Sequence, residues 1–203
     1  GDRVVMVDSR GEIVDGDQLI HILALAAHER GALRGPVVGT VMSNLGLEHS
    51  LAQRGIEFRR AAVGDRHVLA MLKDSGGHLG GETSGHVIDL AKTTTGDGLV
   101  TALQVLAVME SSGQPLAELA GAMPRFPQTL INVHTSRPFD ERAGGIAATV
   151  EAVQGKFGER GRIVLRPSGT EPVVRVMVEG DHEEVVARAA ETIAAAVREA
   201  ATG

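Results

Sequence analysis

Pro36-Val37-Val38-Gly39-Thr40-Val41-Met42, then Asn44 to Arg54 closed by Gly55, then Ile56-Glu57-Phe58-Arg59-Arg60-Ala61-Ala62-Val63, is the stretch that decides the fold. The first run is continuous and apolar, as a strand covered on both faces must be. Asn44 can cap a helix whose Leu45, Leu47 and Leu51 supply an apolar side, and Gly55 suits the position past its end. The third run is again strand-like. Strand, helix and strand in that order imply a parallel, helix-covered sheet. Upstream, Asp17 is placed to cap a helix over 17–30 with Leu19, Leu23, Ala26 and Ala27 on one face and Gly31 past its end. Further upstream, Val4 to Val7 reads as a short buried strand closed by the turn Asp8-Ser9-Arg10-Gly11, with no partner evident nearby.

Downstream, Gly64-Asp65-Arg66 falls past the carboxyl end of the second strand, where α/β folds place ligands. A short helix through Val68, Leu69 and Leu72 follows it. Residues 75–86 hold five glycines in twelve residues and read as a loop. Thr93 to Gly98 then caps a helix over 99–110, and another helix covers 116–122. Pro124-Arg125-Phe126-Pro127 is the linker. Beyond it come a strand over 130–134, a helix over 140–154, strands over 162–166 and 173–179, and an amphipathic helix over 181–200 with Val186, Ala190, Ile193 and Val197 inward. The fold class expected is therefore α/β, a helix-covered mixed or parallel sheet followed by a small α+β domain of βαββα order.

Composition narrows the function. With 43% apolar residues in 203, the chain can bury a genuine core, and disorder is excluded. It has 26 Gly, 4 Phe, no Trp and no Tyr, so Val, Ile, Leu, Ala and Met build that core and there is next to nothing on which a base could stack. A net charge of −6 gives no footprint for a nucleic-acid backbone. The absence of cysteine removes disulfides, thiolate metal sites and a thiol nucleophile, in keeping with a cytoplasmic protein. No apolar run approaches the roughly 20 residues that span a bilayer, so neither a membrane nor nucleic acid is expected as a partner. The first residues lack a signal-peptide pattern and an initiator Met, and the chain reads as starting inside a longer protein.

Two loops carry chemistry. In Arg166-Pro167-Ser168-Gly169-Thr170-Glu171-Pro172 an arginine fork, two hydroxyls and a glycine that lets backbone N–H groups turn toward an anion suit a phosphate. A plain hairpin loop accounts for the same Ser, Gly and Thr. Arg175 reads as an exposed strand residue rather than a second phosphate ligand. In Gly80-Gly81-Glu82-Thr83-Ser84-Gly85-His86, Glu82 and Ser84 can grip vicinal hydroxyls of a sugar. A surface loop with Glu82 and His86 merely solvated explains that composition equally well. His86 suits acid–base work near neutral pH, although a lone His beside a strand is more often structural. Arg66 reads first as a salt-bridged residue at a helix start, and Asp2 with Arg3 as a surface ion pair. His21 and His28 lie about 10 Å apart along one helix face, too far to share a metal. Nucleotide-binding glycine fingerprints are absent.

The ordered set Gly1-Asp2-Arg3, Gly64-Asp65-Arg66, Gly81 to His86 and Arg166 to Pro172 resembles the α-D-phosphohexomutase family, in particular its bacterial amino-sugar branch. The resemblance covers essentially the whole chain. It implies domains at 1–15 (the end of a metal-binding second domain), 16–124 (an α/β sugar-binding third domain) and 125–203 (an α+β phosphate-binding fourth domain). It further implies conversion of glucosamine 6-phosphate to glucosamine 1-phosphate through a phosphoserine, a sugar bisphosphate and Mg²⁺, feeding amino-sugar nucleotide and cell-wall synthesis. In that scheme Asp2 is a metal carboxylate and Arg3 the arginine after it. Arg66, Glu82, Ser84 and His86 face the sugar, and Arg166, Ser168, Gly169 and Thr170 clamp phosphate. The nucleophilic serine and two metal carboxylates have no counterpart here, so the chain is expected to be an inactive C-terminal part binding hexosamine phosphate and bisphosphate, with a homo-oligomer left open. A phosphomannomutase or phosphoglucomutase, or a noncatalytic phosphosugar-binding module, are the alternatives.

Overall fold

The computed structural model describes residues 1–135, 145–168 and 171–202, without the side chains of Glu159 and Thr202. The chain divides into two compact units, Gly1–Arg125 and Phe126–Gly203.

The first unit opens with a ribbon in which β1 (Met6–Val7) pairs antiparallel with β2 (Ile13–Val14). Val4 to Val7 is thus not the buried strand its apolar run suggests. Val5 and Val7 are 60% and 57% exposed, and the partner is the next local segment rather than a central sheet. The turn between them is held by the Asp8 carboxylate, which accepts from the N–H groups of Arg10 (2.8 Å) and Glu12 (3.0 Å). Helix α1 (Gly16–Glu29) follows, capped by Asp15 and not by Asp17: Asp15 and Gln18 exchange side-chain and backbone hydrogen bonds in a capping box. Leu19, Leu23, Ala26 and Ala27 are buried as their spacing requires. His21 is buried among them, with Nε2 2.7 Å from Ser50 Oγ. Burial pushes this imidazole down to about 4.

The deciding stretch folds as read. β3 (Val37–Thr40), α2 (Leu45–Gln53, capped by Asn44) and β4 (Phe58–Ala61) form a parallel crossover, with Val37 opposite Phe58. α3 (Asp65–Ser75) comes next. The glycine-rich segment after it is a hairpin, not a loop alone: β5 (Leu79–Gly81) runs parallel to β3, and β6 (Val87–Asp89) runs antiparallel to β5. Glycine hides this strand from a propensity reading. It is nonetheless required, because a Cβ on Gly80 would stand well inside contact distance of the Val38 carbonyl. The sheet order is β4-β3-β5-β6. α4 (Gly98–Ser112) and α5 (Leu116–Gly121) complete the unit, and α4 leaves Leu99, Leu103 and Leu106 on its exposed side.

The second unit is β7 (Gln128–His134), α6 (Ile146–Phe157), a short 3-10 turn, β8 (Gly161–Pro167), β9 (Val173–Gly180) and α7 (Glu183–Thr202). Residues 140–144, where α6 was expected to begin, lie outside the described residues. The sheet is antiparallel in the order β7-β9-β8. Val174, Val176 and Val178 pack with Ile146, Val153 and Phe157 of α6 and with Val186, Ala190, Ile193 and Val197 of α7. Alternation sends Arg162, Arg166, Arg175 and Glu179 to the other face. There Arg162 Nε donates to Glu179 Oε2 at 2.7 Å, an ion pair whose carboxylate is fully buried.

Two glycines test this packing in opposite directions. Gly80→Ala should cost about 1–3 kcal/mol through overpacking of β5 against β3. Gly155→Ala, inside α6 with open space around the added methyl group, should gain ~0.5–1 kcal/mol. Calorimetric unfolding measures both, and an unaltered Gly80→Ala protein would contradict the β3–β5 contact.

Candidate functional site

The carboxyl ends of β3, β4 and β5 point the same way, and the loops beyond them gather there. The 82–86 link closes on itself, with Glu82 N–H donating to His86 O and Gly85 N–H to Glu82 O, both at 3.0 Å. Gly85 has φ +88, and its bare Cα lets the Val4 carbonyl sit against it while Val4 N–H donates to Gly85 O at 3.0 Å. Glu82 is not simply solvated: Oε1 accepts the Gly64 N–H at 3.0 Å, which joins the Gly64-Asp65-Arg66 turn to the loop. Ser84 is exposed at the tip.

His86 is buried with its ring against Gly96, where no side chain fits. Its Nδ1 stands 3.8 Å from Asp2 Oδ2, and its Nε2 is buried without a hydrogen-bond partner. The N-terminal segment is pinned here by Gly98 N–H donating to Gly1 O at 2.9 Å. Asp2 and Arg3 form the loose, exposed ion pair expected of them, at 3.9 Å. Arg66 is exposed and makes no ion pair among the described residues; its Nε instead donates to His67 Nε2 at 3.3 Å. Asp2, Arg3, Gly64, Glu82, Ser84 and His86 are therefore brought to one end of the unit.

Asp17 is a residue of this site that the sequence did not disclose. It lies in the first turn of α1 and is fully buried, and a single oxygen, Oδ2, accepts from Asn44 N–H (2.9 Å) and Thr83 Oγ1 (2.8 Å). Those partners are 27 and 66 residues away, so spacing carries no trace of the contact. Burial pushes the carboxyl up to about 6, partly opposed by the hydrogen bonds from Asn44 and Thr83.

In the second unit, Arg166 and Arg175 stand directly opposite each other on β8 and β9. Like charges in that register repel. The Nε of each is buried without a hydrogen-bond partner among the described residues, and Glu171 Oε2 stands 3.5 Å from Arg175 Nη2. Arg175 is on a strand as expected, with its side chain 34% exposed and its Nε buried. Ser168 N–H donates to Val173 O at 2.8 Å and closes the turn beside them. Gly169 and Thr170 lie outside the described residues. Two facing guanidinium groups with unused donors form a place for an anion.

The residues present do not fit a metal ion. Asp2 is a lone, solvent-exposed carboxylate, held below its usual range chiefly by a backbone hydrogen bond, and no group of three or more His, Asp or Glu that could hold a cation occurs among the described residues.

The two buried groups with shifted pKa in the first unit, Asp17 and His21, act oppositely on stability. Asp17 has a folded value above its unfolded one, so its contribution is fully present below pH ~4 and is lost as pH rises through 6; the loss is on the order of 2–3 kcal/mol. His21 is depressed, so its contribution is present above its ordinary 6.5 and is lost as pH falls through about 4. The two slopes largely cancel. Asp17→Asn removes one of them, and its stability relative to the parent should rise by about 2 kcal/mol between pH 4 and pH 7. Denaturant unfolding followed by circular dichroism, in a chain with no Trp or Tyr to report by fluorescence, reads that difference. A difference independent of pH would contradict the buried carboxylate.

Comparison with known proteins agrees with this geometry. The family description "Phosphoglucomutase/phosphomannomutase, alpha/beta/alpha domain III" matches residues 15–126, and "Phosphoglucomutase/phosphomannomutase, C-terminal domain" matches residues 130–196. Phosphoglucosamine mutase of Alkalilimnicola ehrlichii is 55% identical over 202 residues, covering 98% of this chain and 45% of the relative. The same enzyme of Thioalkalivibrio sulfidiphilus is 53% identical, covering 99% and 46%. The chain thus spans just under half the length of these curated relatives. Among solved structures, Aspergillus fumigatus N-acetylphosphoglucosamine mutase in complex with GlcNAc-6P and magnesium superposes with a TM-score of 0.81 at 20% identity, over 97% of this chain and 50% of that one. The agreement of both sequence units and of the fold leaves one assignment: the chain belongs to the phosphoglucomutase/phosphomannomutase family.

Proposed function

We propose that this chain is the phosphosugar-recognising part of an amino-sugar phosphomutase, an enzyme that moves a phosphate between the C6 and C1 oxygens of glucosamine phosphate through a bisphosphorylated sugar. The observation that carries it is the Arg166–Arg175 pair, two facing cations whose Nε donors are buried and unused. A phosphate relieves that repulsion and accepts from both forks. Arg166, Ser168 and Arg175 form the phosphate clamp of the second unit in this reading.

The first unit offers the sugar element. Glu82 is steadied through Oε1 by Gly64, which leaves Oε2 free to accept from a hydroxyl, and the Ser84 hydroxyl can donate or accept beside it. The exposed Arg66 adds donors for the same ligand, and His86, packed against Gly96, backs the loop from inside. The amino-sugar preference is supported by relatives at 50–55% identity that are phosphoglucosamine mutases. A sugar 1-phosphate product suits a following step that builds a nucleotide sugar, and a cytoplasmic setting is in keeping with that reading. No group of three or more His, Asp or Glu able to hold Mg²⁺ occurs among the described residues, and the role proposed for this chain is recognition.

Inorganic phosphate should bind this chain with a dissociation constant on the order of 1 mM, near −4 kcal/mol. NMR titration should show the shifts centred on Arg166, Ser168 and Arg175. Arg166→Ala and Arg175→Ala should each weaken binding tenfold or more, while Glu82→Ala should leave inorganic phosphate unaffected and weaken glucosamine 6-phosphate. Equal phosphate shifts in the parent and in Arg166→Ala would reduce the 166–172 turn to a hairpin connection.

A further inference from the structure

The 82–86 loop closes through its own Glu82–His86 and Gly85–Glu82 backbone hydrogen bonds, with Ser84 exposed at its tip. Its orientation is set from outside as well. Gly16 N–H donates to Thr83 O at 3.0 Å, and Thr83 Oγ1 donates to Asp17 Oδ2 at 2.8 Å, so the start of α1 grips Thr83 by backbone and side chain together. The same Asp17 oxygen receives Asn44 N–H at 2.9 Å, where α2 is capped. No side chain fits at Gly16, because a Cβ there would collide with the Glu82 carbonyl. One buried oxygen therefore locks the beginnings of two helices to the residue between Glu82 and Ser84.

We propose that Asp17 is a positioning residue for the sugar-recognition loop, fixing through Thr83 the directions in which Glu82 and Ser84 present their oxygens to a hexose phosphate. This rests on reading 82–86 as that loop. The geometry explains why an acid is kept in a place where it is costly to fold. Burial pushes its carboxyl up to about 6, so near neutral pH the charge persists at the expense of stability, and a charged oxygen is the stronger acceptor for two donors at once. Protonation below pH 6 turns the acceptor into a poorer one and loosens the loop. The groups facing it are few. Asp15 on its own helix raises its pKa while pairing with Arg125 at 2.9 Å. Ser43 and Asn44 approach from the β3–α2 link, where Ser43 O in turn accepts from Arg60 Nη1 of β4 at 2.7 Å. Thr83 approaches from the loop.

The test compares Thr83→Val, Asp17→Ala and Asp17→Asn in this chain, with Glu82→Ala as the control on the site itself. Amide exchange at pH 7.5 should accelerate tenfold or more at Glu82 and Gly85 in Thr83→Val and Asp17→Ala, with Ile22 and Leu23 of α1 unchanged. Asp17→Asn, which keeps an acceptor, should recover part of that protection. Titrated with glucosamine 6-phosphate, Thr83→Val should bind several-fold more weakly while its affinity for inorganic phosphate is unchanged, and the parent's sugar-phosphate affinity should fall between pH 7.5 and pH 5 with a steeper profile than that of Asp17→Asn. If Glu82→Ala weakens the sugar phosphate and Thr83→Val does not, the positioning role is overturned and the site stands. If Glu82→Ala has no effect either, the sugar reading itself fails. Exchange that accelerates equally in α1 and in the loop would make Asp17 a stability residue only and would also overturn the proposal.

Discussion

The first unit depends on a backbone approach that only glycine permits. β5 lies parallel to β3 with Gly80 facing the Val38 carbonyl, and any side chain there would push the two strands apart. That contact sets where β5 ends and hence where the 82–86 loop begins. Gly85 and Gly16 repeat the device one layer further out, against Val4 and Glu82. Gly16, Gly80 and Gly85 thus stand where backbones meet closely, and the hydrogen bonds from Gly64 to Glu82 and from Gly16 to Thr83 tie the same loops together.

Polar groups are then placed where they are expensive, for different reasons in the two units. Asp17 holds a charge inside the first unit, offset by donors from Asn44 and Thr83. Arg166 and Arg175 face each other in the second unit with donors unused. A fold selected for stability alone would replace such groups by apolar ones of similar volume. Asp17 lies in the first turn of α1, and Arg166 and Arg175 lie on the sheet face turned away from the helices, which is where the proposed ligand recognition puts them. The buried Arg162–Glu179 pair on the same sheet face as the two arginines is self-satisfied by contrast, and asks for no ligand.

Much of the architecture was legible in the sequence, because apolar period and helix caps report local structure directly. The β3–α2–β4 crossover, the closing amphipathic α7 and the antiparallel β8–β9 pair followed from those signals. Where the reading failed, tertiary contact overrode local pattern. β5 was invisible because two of its three residues are glycine, Val4 to Val7 paired with its own neighbour, and Asp15 took the capping position assigned to Asp17. Of the candidate site, Glu82, Ser84, His86, Arg166 and Ser168 were named from chemistry that loops advertise. Asp17 and Arg175 were not, since the first acts across 66 residues and the second is made significant only by its register with Arg166.

The central claim is that this chain recognises a phosphosugar through a sugar loop in one unit and a phosphate clamp in the other. A backbone chemical-shift map of the isotopically labelled chain titrated with glucosamine 6-phosphate tests it most directly. The account predicts saturable shifts concentrated at Gly64 and residues 82–86 and, separately, at Arg166, Ser168 and Arg175, with inorganic phosphate reproducing only the second set. Shifts spread evenly over the surface, or identical maps for the sugar phosphate and for inorganic phosphate, would contradict it.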